Sequence, residues 1–97
     1  MIDASFHPEA RAEYLAALDW YQARSPQVAE RFETEVERAL DLVKSNLTLY
    51  PKYDDDHRYV GVKRYPYSLI YQHQPDQIFV VAVAHSRRSA GYWRGRA

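Results

Sequence analysis

The chain has 97 residues, of which 46% are hydrophobic and 27% are charged, with 5 Pro, 3 Gly and no Cys. This composition is typical of one small globular domain and excludes the disordered, collagen-like and low-complexity classes of protein. Without cysteine the chain has no disulfide framework. The sequence shows neither a signal peptide nor an apolar run of about 18 residues. We therefore expect a soluble, cytoplasmic protein that forms a single domain over residues 1–97.

The formal net charge is zero, but the charges are divided between the two halves of the chain. Residues 1–50 carry five Lys/Arg and nine Asp/Glu, a net charge of −4, whereas residues 51–97 carry eight Lys/Arg and four Asp, a net charge of +4. A basic half of this kind suits a nucleic acid or an acidic protein partner. The alternative is that the two halves neutralise each other within the fold.

The first half of the chain predicts two helices. Apolar residues recur at spacings of three and four from Pro8 to about Arg24, and Glu9 supplies the acidic first turn that a helix favours. Ser25 followed by Pro26 predicts an N-cap and the first position of a second helix, whose apolar positions continue to Leu47. Because the connection is so short, the two helices are expected to form an antiparallel hairpin.

The second half of the chain predicts strands, since the hydrophobic period falls from about 3.6 to about 2 residues. Three strands are expected at residues 58–63, 67–73 and 77–85, and a short one at residues 2–6. The segment 77–85 is apolar on both faces, which is typical of a central strand covered on both sides. The predicted fold class is α+β: an N-terminal helical hairpin packed on a small antiparallel sheet in the order β-α-α-β-β-β.

Basic and aromatic residues form two clusters in the last third of the sequence. One spans residues 62–71 and contains Lys-Arg followed by Tyr-Pro-Tyr; the other spans residues 81–94 and contains a histidine, two arginines and then Tyr-Trp-Arg. Cations contact phosphates, aromatic rings stack on bases, and a histidine can serve as acid or base in phosphodiester cleavage. The structural alternatives are a hydrogen-bonded His85 at a strand end, arginines paired with the acidic helices, and a Tyr92-Trp93 pair that closes the core.

No metal or cofactor site is predicted. Asp54, Asp55 and Asp56 are consecutive, so their carboxylates diverge on a solvated loop, and no EF-hand spacing follows them. His7 is interpreted as a residue at the start of the first helix rather than as a ligand. The sequence contains neither a Gly-rich phosphate loop nor a recognisable Ser or Cys nucleophile motif.

The chain resembles toxins of the RelE/ParE superfamily, from bacterial type II toxin–antitoxin systems, over essentially its whole length. The specific part is Arg-Tyr-Pro-Tyr-Ser-Leu-Ile-Tyr at residues 64–71 together with Val-Ala-His-Ser-Arg-Arg at 83–88 and Gly-Tyr-Trp at 91–93. The resemblance implies two helices on a small sheet, and a cognate antitoxin from the same operon that forms a hetero-oligomer with the toxin. We expect the groove along Leu15, Leu18, Val36 and Leu40 to contribute partly to the core of the chain and partly to contact with the antitoxin.

The superfamily contains two activities. RelE-like members are metal-free endoribonucleases that cleave messenger RNA on the ribosome, and here Lys63 and Tyr92 match their lysine and C-terminal tyrosine. His85 is a further candidate for acid–base catalysis under this alternative. Ser68 and Ser86, however, stand where RelE-like toxins have arginines, so two cations that would neutralise phosphate charge are missing.

ParE-like members inhibit DNA gyrase and need no catalytic set of their own. The Pro-Tyr strand start and the His-x-Arg-Arg…Tyr-Trp-x-x-Arg ending resemble this branch more closely. The sequence therefore favours a gyrase-inhibiting binding protein over a ribonuclease; a third alternative is an inactive toxin remnant that serves only in the antitoxin complex. The target-docking patch expected under the gyrase hypothesis consists of Lys63, Arg64, Arg87, Arg88, Trp93 and Arg94, with the tryptophan as its anchor.

Overall fold

A computed structural model describes residues 2–96 of the chain. The elements are β1 (Asp3–Phe6), α1 (Pro8–Arg24), α2 (Pro26–Ser45), β2 (Arg58–Gly61), β3 (Tyr67–Gln74) and β4 (Gln77–His85). This order confirms the predicted β-α-α-β-β-β arrangement and the α+β fold class. Neither helix combines the length and the apolar character needed to cross a lipid bilayer.

Local hydrogen bonds define both helix starts. The His7 side chain caps α1 by accepting a hydrogen bond of 3.1 Å from the amide of Glu9, so the interpretation of His7 as a helix-start residue is confirmed. The Ser25 hydroxyl accepts a bond of 3.4 Å from the amide of Val28 at the start of α2. Since Ser25 is also the C-cap of α1, a single residue joins the two helices, and they form a tight hairpin.

The four strands form one sheet in the order β1-β4-β3-β2. β2, β3 and β4 make the expected antiparallel meander, but β1 pairs in parallel with β4, so the sheet is mixed rather than wholly antiparallel. A parallel pair needs a long connection between its two strands, and the helices together with β2 and β3 provide one between β1 and β4. Hydrophobic alternation predicts strands but not their pairing direction.

Both faces of β4 are covered. On one face the helices contribute Phe32 and Val36 to a core that includes Val80, and all three side chains are at most 2% exposed. On the other face Val81 packs in a second cluster with Trp93, from the segment that follows β4. The prediction of a central strand covered on both sides is therefore confirmed, and the C-terminal segment supplies the second cover.

A β-bulge reverses the facing of the last residues of β4. Ile70 pairs with Ala82 but Tyr71 pairs with Val80, so Val81 is the extra residue. Beyond the bulge, Val83 faces the helices instead of the second cluster. The same reversal brings His85, two residues further on, to the cleft beside α1.

Candidate functional site

The two basic segments predicted from the sequence meet at one end of the sheet. Tyr67, the first residue of β3, pairs with His85, the last residue of β4. The Ser86 amide also donates a hydrogen bond of 2.8 Å to the carbonyl of Pro66. The β2–β3 turn and the segment after β4 are therefore neighbours. Their four exposed cations, which we call the basic edge, are Lys63, Arg64, Arg87 and Arg88.

The basic edge is not neutralised by the acidic helices. Within residues 2–96, none of its four side chains forms an ion pair. Arg88 instead lies over the ring of Tyr92, with its guanidinium carbon 3.9 Å from the ring centroid. The alternative in which Arg87 and Arg88 pair with acidic helix residues does not occur in this part of the chain.

The β2–β3 turn has an unusual backbone. Arg64 has a φ of 72°, in the left-handed region that costs a residue with a side chain roughly 1–2 kcal/mol. The turn is nevertheless held at both ends: the Val62 amide donates to the carbonyl of Tyr67 at 2.9 Å, and the Tyr65 hydroxyl donates to the Val28 carbonyl of α2 at 3.1 Å. These bonds fix the position from which Lys63 and Arg64 project.

His85 is half-buried and partly committed to local structure. Its Nδ1 accepts a hydrogen bond of 3.0 Å from the amide of Arg87, and its ring meets the Tyr67 ring edge-on at a centroid distance of 5.0 Å. Because Nδ1 is an acceptor, the neutral imidazole carries its proton on Nε2. The hydrogen-bonded strand end that the sequence offered as an alternative is therefore present. The Arg88 amide donates to the His85 carbonyl at 3.0 Å, so hydrogen bonds to His85 hold the backbone of both arginines that follow.

The residue that organises the site is Glu13, which the sequence analysis did not identify. Its carboxylate accepts hydrogen bonds from the Tyr92 hydroxyl at 2.6 Å, from the Arg96 guanidinium at 2.8 and 3.2 Å, and from the Val83 amide at 3.0 Å. Burial acts to raise the pKa of Glu13, but the bonds from Arg96, Tyr92 and Val83 outweigh it and leave the pKa below its usual value. We call this set of bonds the Glu13 clamp.

A sequence signal for the clamp does exist. Glu13 is three residues after Ala10 and four before Ala17, both buried, so it lies on the apolar stripe of α1. An acidic residue on a core-facing stripe needs partners, because a buried charge without them is costly. Here the partners come from the C-terminal segment and from the edge of β4, and both are remote in sequence.

Tyr92 is held by the clamp rather than free for catalysis. Burial raises the pKa of its hydroxyl, and the hydrogen bond to the Glu13 carboxylate raises it further, to well above the ordinary value of 10. His85 and Tyr92 line a cleft of about 480 Å³ between α1 and the sheet. Lys63 lines a different groove, beside α2. The structure thus brings together two of the three predicted catalytic residues and separates the third from them.

Trp93 and Arg94 do not belong to the basic edge. Trp93 is 1% exposed, with its ring centroid 4.9 Å from that of Tyr53 and 4.5 Å from that of His57, so it closes the core and presents no surface to a partner. This corrects the expectation that Trp93 anchors a docking surface. Arg94 pairs with Asp54 at 3.2 Å, at the opposite end of β2 from Lys63. Trp93, the expected hydrophobic anchor, and Arg94, one of the five expected docking cations, therefore make contacts within the chain away from the basic edge.

The Asp54–Asp56 loop is only partly a solvated loop. Asp55 and Asp56 are exposed, whereas Asp54 accepts hydrogen bonds from His57 Nδ1 at 2.8 Å and from Arg94. The bond from His57, supported by those from the Asp56 amide and Arg94, lowers the pKa of Asp54 to about 2. Across residues 2–96 no group of three His, Cys, Asp or Glu side chains is arranged to hold a metal ion.

The four residues expected along the antitoxin groove are divided between the core and the surface. Val36 is 2% exposed and belongs to the core, so it is not available to a partner. Leu18 and Leu40 are partly buried against the same core. Leu15 is 46% exposed and is the member of the set that offers substantial surface. The apolar periodicity of both helices is thus used mainly for packing within the chain.

Comparisons with a family model and with a solved structure agree with this fold. A family model described as "ParE toxin of type II toxin-antitoxin system, parDE" matches residues 4–90. The chain is also similar to a solved structure, the chromosomal ParDE TA system from P. aeruginosa, with a TM-score of 0.72 at 16% identity over 88% of this chain and 96% of that chain. No curated protein sequence matches significantly. The family match spans most of the sequence, and the chain belongs to the ParE toxin family of type II toxin–antitoxin systems.

Proposed function

We propose that this chain arrests bacterial growth by inhibiting DNA gyrase, and that a cognate antitoxin neutralises it by forming a complex with it. Membership of the ParE toxin family supports the toxin role and implies an antitoxin partner. The choice between a gyrase inhibitor and a messenger-RNA nuclease depends on the site.

The separation of the candidate catalytic residues is the observation that carries this choice. A general acid or base must lie within hydrogen-bond reach of the reacting group. Lys63 and Tyr92 line different grooves, and the Tyr92 hydroxyl donates a hydrogen bond of 2.6 Å to Glu13. Ser68 and Ser86 bring no positive charge to the strand ends. This arrangement suits a protein that acts by binding.

The basic edge is the proposed docking surface for gyrase or for its bound DNA. Its four cations are exposed, and within residues 2–96 they have no acidic partners. Exposed unpaired cations attract phosphates and acidic protein surfaces and accelerate association with them. We therefore assign target docking to Lys63, Arg64, Arg87 and Arg88, and leave Trp93 and Arg94 out of this surface.

The test is a supercoiling assay with purified gyrase and relaxed plasmid. We expect the chain to inhibit supercoiling and to cause cleaved DNA to accumulate. The double variant Arg87→Glu, Arg88→Glu should weaken inhibition by about tenfold or more, and more strongly at low salt, because exposed ionic contacts are screened by salt. The single variants Arg87→Glu and Arg11→Glu, which change the net charge equally, are compared as a matched pair, since Arg11 is an exposed cation on α1 outside the basic edge.

Two other results would contradict the proposal. If the chain cleaves messenger RNA in a translation extract and Lys63→Ala or His85→Ala abolishes cleavage, the protein is a ribonuclease. If expression of the chain alone leaves both thymidine and methionine incorporation unchanged while the protein accumulates, it is an inactive remnant. A fall in thymidine incorporation before any fall in methionine incorporation supports gyrase as the target.

A further inference from the structure

A groove of about 690 Å³ lies between α2 and the β2–β3 turn, outside the cleft that contains His85. Its volume is within the range of typical ligand pockets, roughly 300–1,000 Å³. Val28 and Tyr65 contribute to its lining. The cations that line it come from both elements: Arg31 and Arg38 from α2, and Lys63 and Arg64 from the turn.

The groove carries an excess of positive charge. Its four cations are accompanied by two carboxylates, those of Glu30 and Glu35. Glu35 pairs with Arg38 at 2.8 Å. Arg31, by contrast, forms no ion pair within residues 2–96, and neither do the two cations of the turn. Arg31, Lys63 and Arg64 are therefore exposed cations that line this groove and have no ion-pair partner within residues 2–96.

The groove is built on fixed elements. Its helical side is α2, and the turn opposite is tied to α2 by the hydrogen bond from the Tyr65 hydroxyl to the Val28 carbonyl. The Tyr65 ring packs edge-on against Phe32 at a centroid distance of 5.1 Å. Arg64 is held in a left-handed conformation that side-chain-bearing residues adopt rarely. Such backbone outliers are concentrated at sites that bind or switch.

We infer that this groove binds an acidic peptide segment of a partner protein, with carboxylates on Arg31, Lys63 and Arg64 and an apolar side chain against Val28. Guanidinium groups bind carboxylates through paired, charge-assisted hydrogen bonds, which gives such a site both strength and orientation. A segment that combines Glu or Asp with an isolated apolar residue matches the charge and the lining of the groove.

A peptide fits the groove better than a single-stranded nucleic acid does. Binding of single strands relies on aromatic rings that are free to stack on bases. The aromatic residue of this groove, Tyr65, is packed edge-on against both Tyr21 and Phe32. An evenly charged phosphate backbone would also pass close to Glu30 and Glu35, whereas a peptide can place neutral residues opposite them.

A peptide in this groove would also regulate the toxin, if gyrase is its target as proposed above. Lys63 and Arg64 belong both to this groove and to the basic edge, so a peptide bound here covers two of the four cations assigned to gyrase docking. Binding of the peptide and docking to gyrase would then exclude each other. Arg31 lies in the groove but not in the basic edge. A substitution of Arg31 therefore tests peptide binding separately from docking to gyrase.

The test uses fluorescence anisotropy with the full-length chain made by cell-free synthesis. The probe is a fluorescein-labelled peptide rich in Glu with one central Leu; the same peptide with Gln in place of Glu and a labelled single-stranded oligodeoxynucleotide are compared with it. We expect the Glu peptide alone to bind. Arg31→Gln and Arg64→Gly should each weaken its binding by about tenfold, the usual effect of losing one charge-assisted contact. Arg11→Gln is the matched control and should leave binding unchanged.

Several results would overturn the inference. One is tighter binding of the oligodeoxynucleotide than of the Glu peptide. Another is that Arg11→Gln and Arg31→Gln weaken binding of the Glu peptide equally. A third is self-association of the chain that depends on Arg31, which would make a second copy of the chain the occupant of the groove. Failure of the proposed function is seen separately, in the supercoiling assay. Arg31→Gln should retain full inhibition of gyrase while its binding of the Glu peptide is weakened, because Arg31 is outside the basic edge.

Discussion

The hydroxyl of Tyr92 donates a hydrogen bond of 2.6 Å to the carboxylate of Glu13, across 79 positions of sequence. Arg96 donates two further bonds to the same carboxylate and one of 3.2 Å to the carbonyl of Val81. The side chain of Glu13 in turn accepts from the Val83 amide, on the edge of β4 beyond the end of β1. The side chains of Glu13 and Arg96 thus bond backbone groups on the edge of β4 that no neighbouring strand reaches. Their hydrogen bonds also tie the C-terminal segment to α1.

Removing the clamp carboxylate should destabilise the fold. Glu13→Ala leaves the guanidinium of Arg96, which is 12% exposed, without its nearest acidic partner, and leaves the Val83 amide unpaired. We expect a loss of about 3 kcal/mol in the free energy of unfolding, measured by urea denaturation. Glu9→Ala is the control: Glu9 is 66% exposed and pairs with Arg96 only at 3.4 Å, so its loss should cost less than about 0.5 kcal/mol. If Glu13→Ala and Glu9→Ala lower the free energy of unfolding equally, the Glu13 clamp contributes no more to stability than an exposed ion pair does.

A pH-dependent contribution to stability is expected from Asp54. The hydrogen bond from His57 lowers the pKa of Asp54 from 3.8 to about 2 in the folded protein. A carboxyl with a depressed folded pKa stabilises the fold above its unfolded pKa, and this contribution is lost as the pH falls through the folded value. The difference in unfolding free energy between wild type and Asp54→Asn should therefore shrink as the pH falls from about 4 to about 2. Asp55→Asn, at an exposed position, should show no such change.

Tyr71 offers a substitution that should increase stability. Its hydroxyl is the one buried side-chain polar atom of residues 2–96 that lacks a hydrogen-bond partner, and the residue is 1% exposed. Tyr71→Phe removes an unpaired polar group from the core and should raise the free energy of unfolding by about 1 kcal/mol. Tyr65→Phe makes the same chemical change where the hydroxyl does have a partner, the Val28 carbonyl. It should lower stability by about 1 kcal/mol, so the two variants should differ in sign in a thermal or urea denaturation series.

The features that sequence predicts here are local ones. Ser25 is followed by Pro26, and this pair alone marks the end of one helix and the start of the next, since capping involves adjacent backbone groups. The strand from Gln77 to His85 has the bounds that its apolar run predicts. Each of these signals is contained within a few neighbouring residues, so no knowledge of distant pairing is needed.

The features that sequence misses depend on distant partners. The extra residue at Val81 and the parallel pairing of β1 follow from sheet register, which hydrophobic alternation does not encode. Glu13 is of a residue type that is usually found on the surface, and its partners Tyr92 and Arg96 are remote in sequence. From the sequence alone, Trp93 could be either an exposed anchor or a core residue. It is buried because it packs on the face of the sheet that the helices do not cover. The candidate site is therefore predicted in residue type but not in geometry.

The burial of Trp93 dictates how loss of toxicity in C-terminal variants should be interpreted. Trp93→Ala removes a side chain that is 1% exposed and should cost about 3–5 kcal/mol, enough to unfold much of a small domain. Arg87→Ala removes an exposed cation that has no ion pair within residues 2–96, so its unfolding free energy should stay within about 0.5 kcal/mol of wild type. Measured together by circular-dichroism melting and by the supercoiling assay, Trp93→Ala should lose stability and inhibition in parallel, whereas Arg87→Ala should weaken inhibition and keep its stability. A Trp93→Ala protein that melts like the wild type yet fails to inhibit gyrase would return the tryptophan to the docking surface, because only direct contact with the target would then explain its effect.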